Sequence, residues 1–139
     1  MPASVPGMPE PSFRFVCVPP ALAGSPGSWA REMLRDGEIA LLPDAGGLES
    51  VSAVAHELGL ISIVVIREEV SPQRQAATVM EHAGGLPLVW VADAFGDPVE
   101  SWARDRGPMT LLVHADGPLA EDERRRIDRF VATLGRQTE

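Results

Sequence analysis

The chain contains no lysine and no tyrosine, and all 12 of its basic residues are arginine. Without lysine there is no Walker-type phosphate lysine, no Schiff-base nucleophile and no lysine of the kind receiver domains carry after their last strand. Cysteine is nearly absent as well. Cys17 stands alone, so no internal disulfide forms, and its apolar setting, FVCV, predicts a buried structural thiol in a reduced, cytoplasmic protein. No apolar run approaches the ~18 to 20 residues of a membrane span, and the N-terminus lacks the basic flank and hydrophobic core of a signal peptide. Positive charge is scarce: 20 acidic residues against 12 basic ones leave a formal charge of −8. That balance repels a phosphate backbone and argues against nucleic acid as a partner.

What is present points to one globular domain. The 139 residues are 45% apolar, enough for a single core and too few for two ordinary domains. Pro2, Pro6, Pro9 and Pro11 stand in a stretch with little apolar bulk, which predicts a mobile tail over residues 1–12 ahead of a domain at 13–135.

The domain reads as repeats of strand, turn, helix and glycine, most clearly in DAGGLESVSAVAHELGLISIVVI from Asp44 to Ile66. Val51, Val54, Ala55 and Leu58 recur at helical spacing, Gly59 stops the helix, and an apolar run from Leu60 to Ile66 follows. That run is apolar except at Ser62, as in a strand covered by helices on both faces. Further strands are expected at 13–18, 39–42, 87–91 and 109–113. Helices are expected after Ser25-Pro26 or Ser28, after Ser71-Pro72, from an Asp97-Pro98 cap, and from about Leu119. Ser71-Pro72, a capping hydroxyl before a first-turn proline, is the clearest helix start. Strands alternating with helices over short connections predict an α/β three-layer sandwich around a five-stranded parallel sheet, flavodoxin-like, with strand order 2-1-3-4-5.

In such a sheet ligands bind beyond the carboxyl ends of the strands. The second strand delivers Asp44 with Gly46 and Gly47, the third Glu68, the fourth Asp93, the fifth His114 and Asp116. One expectation is a carboxylate rim with Asp44, Asp93 and His114 as acid–base groups, Gly46 and Gly47 as a turn against a cofactor, and Glu68 with Asp116 on a hard cation such as Mg²⁺. The competing explanation is that Asp and Ser precede helices because they cap them. His56 and His82 fall in last helical turns, where structural roles dominate. Trp29, Trp90 and Trp102 fall at positions that fit the core.

Familiar signatures are missing. GSPGSW lacks the third glycine of a dinucleotide fingerprint, and Pro19-Pro20 occupies the place of a receiver's paired acids or a flavodoxin's phosphate loop. The run Ala53 to Gly59, AVAHELG, resembles the helix end of nucleoside deoxyribosyltransferase-like domains, a resemblance that implies a nucleophilic role for Glu57. It departs from that pattern by lacking the Gly-Thr pair before the glutamate and the tyrosine after it. With Gly46-Gly47 the same run also resembles a segment of phosphoenolpyruvate-using swivelling domains, but the histidine they phosphorylate is missing. Two functional classes therefore stand. The first is a non-enzymatic binding or regulatory module acting through protein partners or self-association. The second is a small enzyme or ligand-binding domain acting on a phosphorylated or nucleotide-like molecule at the rim.

Overall fold

The computed structural model describes residues 11–43, 47–60 and 62–137. Asp44, Gly46 and residues 1–10 of the expected tail lie outside the described residues. The elements are β1 (Phe13–Cys17), α1 (Pro19–Leu22), α2 (Gly27–Asp36), β2 (Gly37–Leu41), α3 (Gly47–Leu58), β3 (Val64–Val65), α4 (Pro72–Ala83), β4 (Leu88–Ala92), α5 (Asp97–Arg106), β5 (Thr110–His114) and α6 (Glu121–Gln137). A 3₁₀ turn, Gly107–Met109, leads into β5. All strand pairs are parallel. No helix among the described residues is long and apolar enough to cross a membrane.

The strand order is 3-2-1-4-5, which corrects the expected 2-1-3-4-5. The third strand lies outside β2 at the edge, not between β1 and β4. Only Val64 and Val65 of the long apolar run pair, with Ala40 and Leu41. The run's apolarity reported a need for cover and not the identity of the neighbour. Right-handed crossovers then assign the layers. The connections β1 to β2 and β2 to β3 travel one way and place α2 and α3 on one face, and α6 joins them. The connections β3 to β4 and β4 to β5 travel the other way and place α4 and α5 on the opposite face.

Two apolar layers follow from strand alternation. Phe13, Phe15, Cys17, Ile39, Leu41, Val89 and Val91 face α2, α3 and α6, where Ala30, Met33, Val51, Val54, Leu58 and Ile127 meet them. Val16, Ala40, Leu88 and Trp90 face α4 and α5, against Val79, Ala83 and Val99. Cys17 is fully buried, and burial pushes its thiol pKa up, out of reach of thiolate chemistry. Trp29 packs on the first layer and Trp102 on the second, while Trp90 is buried within the second.

Local chemistry explains most boundaries. Ser71 caps α4 as expected, its Oγ accepting from the Arg74 N–H at 3.2 Å. Gly59, Gly84 and Gly107 end helices in the left-handed region, at φ of 67, 56 and 64°. Gly37 does something else: its φ is −120°, and a methyl there would overlap the Phe13 ring. Two expected caps are corrected. Pro26 occupies the N-cap of α2, without a side-chain bond from Ser25 or Ser28. Gly96 occupies that of α5, whose first residue is Asp97. The Ser12 N–H bonds Asp36 C=O at 2.6 Å, and α6 runs to Gln137.

Candidate functional site

Strand order 3-2-1-4-5 puts the topological switch point between β1 and β4, the crevice where doubly wound folds bind ligands. Here the chain fills it. Directly after β1, Pro19 and Pro20 take the first helical positions, where a missing N–H costs nothing, and nucleate α1. Pro19, Ala21 and Leu22 are buried. The connection after β5 closes over them: the Leu119 N–H bonds Ala21 C=O at 2.9 Å, and Leu119 is 4% exposed. A glycine loop with free N–H groups, which a pyrophosphate needs, is replaced by a short apolar plug.

The expected rim residues separate into two groups. Asp93, His114 and Asp116 come together, lining with Ala115, Pro118 and Glu123 a depression of 280 Å³ at the ends of β4 and β5. Register explains it, since Ala92 pairs with His114 and the next residues of both strands emerge side by side. His114 is exposed and stands edge-on to Phe95, ring centroids 5.0 Å apart, and Phe95 stands edge-on to Trp90 at 5.3 Å. Glu123 is partly engaged, its Oε1 accepting from the Ala120 N–H at 2.8 Å ahead of α6. Glu123 and Phe95 are not among the expected rim residues; the signal for Phe95 is an aromatic residue just past a strand end.

Glu68 and Gly47 are elsewhere. Glu68 follows β3, at the opposite edge of the sheet from Asp116, roughly 19 Å away at the usual strand spacing of about 4.8 Å. The structure therefore does not bring Glu68 and Asp116, the expected cation pair, together. No group of three or more His, Cys, Asp or Glu placed to hold a metal ion occurs among the described residues. Gly47 opens α3 at φ 63°, with open space where a Cβ would stand.

Beside Glu68, the neighbouring acid is committed to local structure. Glu69 Oε2 accepts from Thr78 Oγ1 at 2.8 Å and meets Arg67 Nε at 2.7 Å. The Thr78 hydroxyl first, then the Arg67 guanidinium, hold the Glu69 carboxyl below its ordinary range. The Gln75 side chain completes the turn, donating to Arg67 C=O and accepting from the Glu69 N–H, both at 3.0 Å.

The other histidines are placed as expected, in the last turns of α3 and α4. His82 Nε2 lies 2.6 Å from Glu38 Oε1, which also faces Arg14 Nε at 3.4 Å. Arg14 in turn donates to the carbonyls of His82 and Ala83, so this cluster ties the end of α4 to the amino ends of β1 and β2. Glu57 is exposed and borders a second depression of 280 Å³ with Pro19, Pro20 and Ser50. Trp29 donates to Asp128 Oδ1 at 2.8 Å beside a 220 Å³ groove at the amino ends of the strands. These hollows all fall below the ~300 to 1,000 Å³ of ordinary small-molecule sites.

Compared with known proteins, the chain matches no family model, no curated protein and no solved structure.

Proposed function

We propose that this chain is a non-enzymatic binding or regulatory module of the cytoplasm that acts through contact with protein, either a partner or another copy of itself. The distribution of exposed aliphatic surface carries this reading. Among the described residues the exposed large hydrophobic side chains are Leu48, Val65 and Val70, at 64, 44 and 88%. All three belong to β3 or to the segments flanking it, Leu48 in the first turn of α3 and Val70 before α4. Exposed aliphatic side chains on three consecutive segments about one edge strand support a contact surface on that side. The apolar α1 at the switch point and the small hollows support the same reading, because among the described residues they offer a nucleotide-sized ligand no enclosed cavity.

A photo-crosslinking residue introduced at Val70 tests it, with the same residue at exposed Arg126 on α6 as control. Covalent adducts to protein at position 70 and none at 126 are expected; no adduct at position 70 overturns the reading.

A second reading, a small enzyme or ligand-binding domain at the rim, is favoured by the convergence of Asp93, His114 and Asp116 on one depression. The three carboxylates Asp93, Asp116 and Glu123 repel a bare phosphate, so a phosphorylated or nucleotide-like ligand would arrive with a divalent cation such as Mg²⁺. A thermal-shift screen with Mg²⁺ and nucleotides separates the readings, since a ligand specific for the native state raises its melting temperature. The module predicts no shift; a saturable rise abolished by Asp93→Asn would establish the second reading.

A further inference from the structure

We infer that the proline-rich segment Pro6-Gly7-Met8-Pro9 docks in polyproline II form into the groove between α2 and α6, so that the chain's own leading residues cover this surface. The groove is separate from the β3 side, and the inference does not rest on the reading of that side.

The shape of the groove suits a peptide. Its 220 Å³ lie between Trp29 and Met33 of α2 and Val131 and Ala132 of α6, with Phe13 also in its lining. That is too small for an ordinary small-molecule ligand. Trp29 is held from two directions: its indole N–H donates to Asp128 Oδ1 at 2.8 Å, and its ring stands edge-on to Phe15 with centroids 6.2 Å apart. A fixed aromatic ring beside aliphatic side chains is the kind of surface on which proline-rich segments dock.

Connectivity supplies the occupant. The Ser12 N–H bonds Asp36 C=O, and Asp36 and Phe13 both line the groove, so the residues preceding Pro11 start at its mouth. From Asp36 back to Trp29, α2 rises roughly 10 Å at 1.5 Å per residue. About three or four residues of polyproline II, at about 3.1 Å each, cover that distance. Counted back from Ser12, Met8 and Pro9 come level with Trp29, and Pro6 lies just beyond. The spacing Pro6-x-x-Pro9 is the one such grooves read.

Charge and entropy agree with this occupant. The groove carries the acids Glu32, Asp36 and Asp128 against Arg35, and residues 1–9 contain no charged side chain. A neutral segment enters without repulsion. Glu10, the one charged residue ahead of Pro11, comes within reach of Arg35, whose ion pair with Glu32 is exposed and long at 3.7 Å. Proline fixes φ before docking, so ordering the segment costs less than ordering a flexible chain, and a modest apolar contact suffices.

A nitroxide attached to the Val5→Cys form of the full chain tests the inference by paramagnetic broadening of amide resonances. Cys17 is fully buried and stays unlabelled. Val131 and Ala132 are expected to lose most of their signal intensity. Gly84 and Gly85, at the same end of the sheet beside Arg14 but on the opposite face, should keep theirs. Adding Pro6→Ser and Pro9→Ser should restore Val131 and Ala132; both substitutions precede β1, and unchanged amide dispersion shows that the domain is still folded. Absence of broadening at the groove overturns the inference, as does equal broadening on the two faces or broadening that survives the two serine substitutions. Broadening seen only between a nitroxide-bearing copy and an isotope-labelled one without nitroxide also overturns it, and makes a second copy the occupant.

Discussion

The two outer strands of the sheet are comparably apolar and differently housed. At one edge all of β5 pairs with β4, α5 and α6 pack against it, and Val113 is 1% exposed. At the other edge β3 pairs for two residues, its main neighbour is β2, and Val65 is 44% exposed. The contrast teaches that hydrophobic content fixes how much cover a strand requires, while connectivity decides who provides it. For β5 the chain's own helices provide it. For β3 the described part of the chain provides less of it.

The largest effect that sharpens this contrast comes from the centre of the sheet. Leu88, fully buried in β4, should lose about 2 to 5 kcal/mol of stability on Leu88→Ala, the transfer and cavity cost of a core leucine. Val65→Ala, measured in dilute solution, should change stability by less than about 0.5 kcal/mol. Chemical denaturation checks both, and equal losses would mean that the β3 edge is as enclosed as the core. Next comes Gly37→Ala, where the new methyl overlaps the Phe13 ring at the start of β2. Overpacking of this kind costs about 1 to 3 kcal/mol. Gly85→Ala, with nothing near its Cβ position, should stay within about 0.5 kcal/mol of the unaltered chain.

The smallest effect lies in the turn that follows β3. Because the folded-state pKa of Glu69 is lowered by Thr78 and Arg67, its stabilising contribution is present above the ordinary carboxylate pKa and lost as pH falls through the lowered value. Melting temperatures of the unaltered chain and Glu69→Gln should therefore differ slightly at neutral pH and converge in acid. A gap that widened toward acid would contradict the assignment.

Much of the fold was legible because its signals are local. Helical spacing at Val51, Val54 and Leu58, the Ser71-Pro72 start and the glycine stops at Gly59 and Gly84 each depend on a few neighbouring residues. Strand order is not local. The run from Leu60 to Ile66 looks like an interior strand, yet its position depends on which way each crossover turns. α1 was missed for a related reason: Pro19-Pro20 reads as a strand terminator, and its second property, readiness to open a helix, acts only when Leu22 and Leu119 find a common pocket. At the rim, Asp93, His114 and Asp116 were readable as strand-end residues, and the register of β4 with β5 gathers them. Glu68 shared their composition and not their location, which the strand order alone determines.

Residue-resolved amide hydrogen exchange of the Ile66 and Val65 N–H groups tests the central claim most directly. Ile66, bonded to Leu41, is expected to be protected. Val65, on the outer side of the edge strand, should exchange rapidly in dilute solution. Protection of Val65 equal to that of Ile66 at high dilution would mean that its N–H is already satisfied within one chain, and the open edge would not exist.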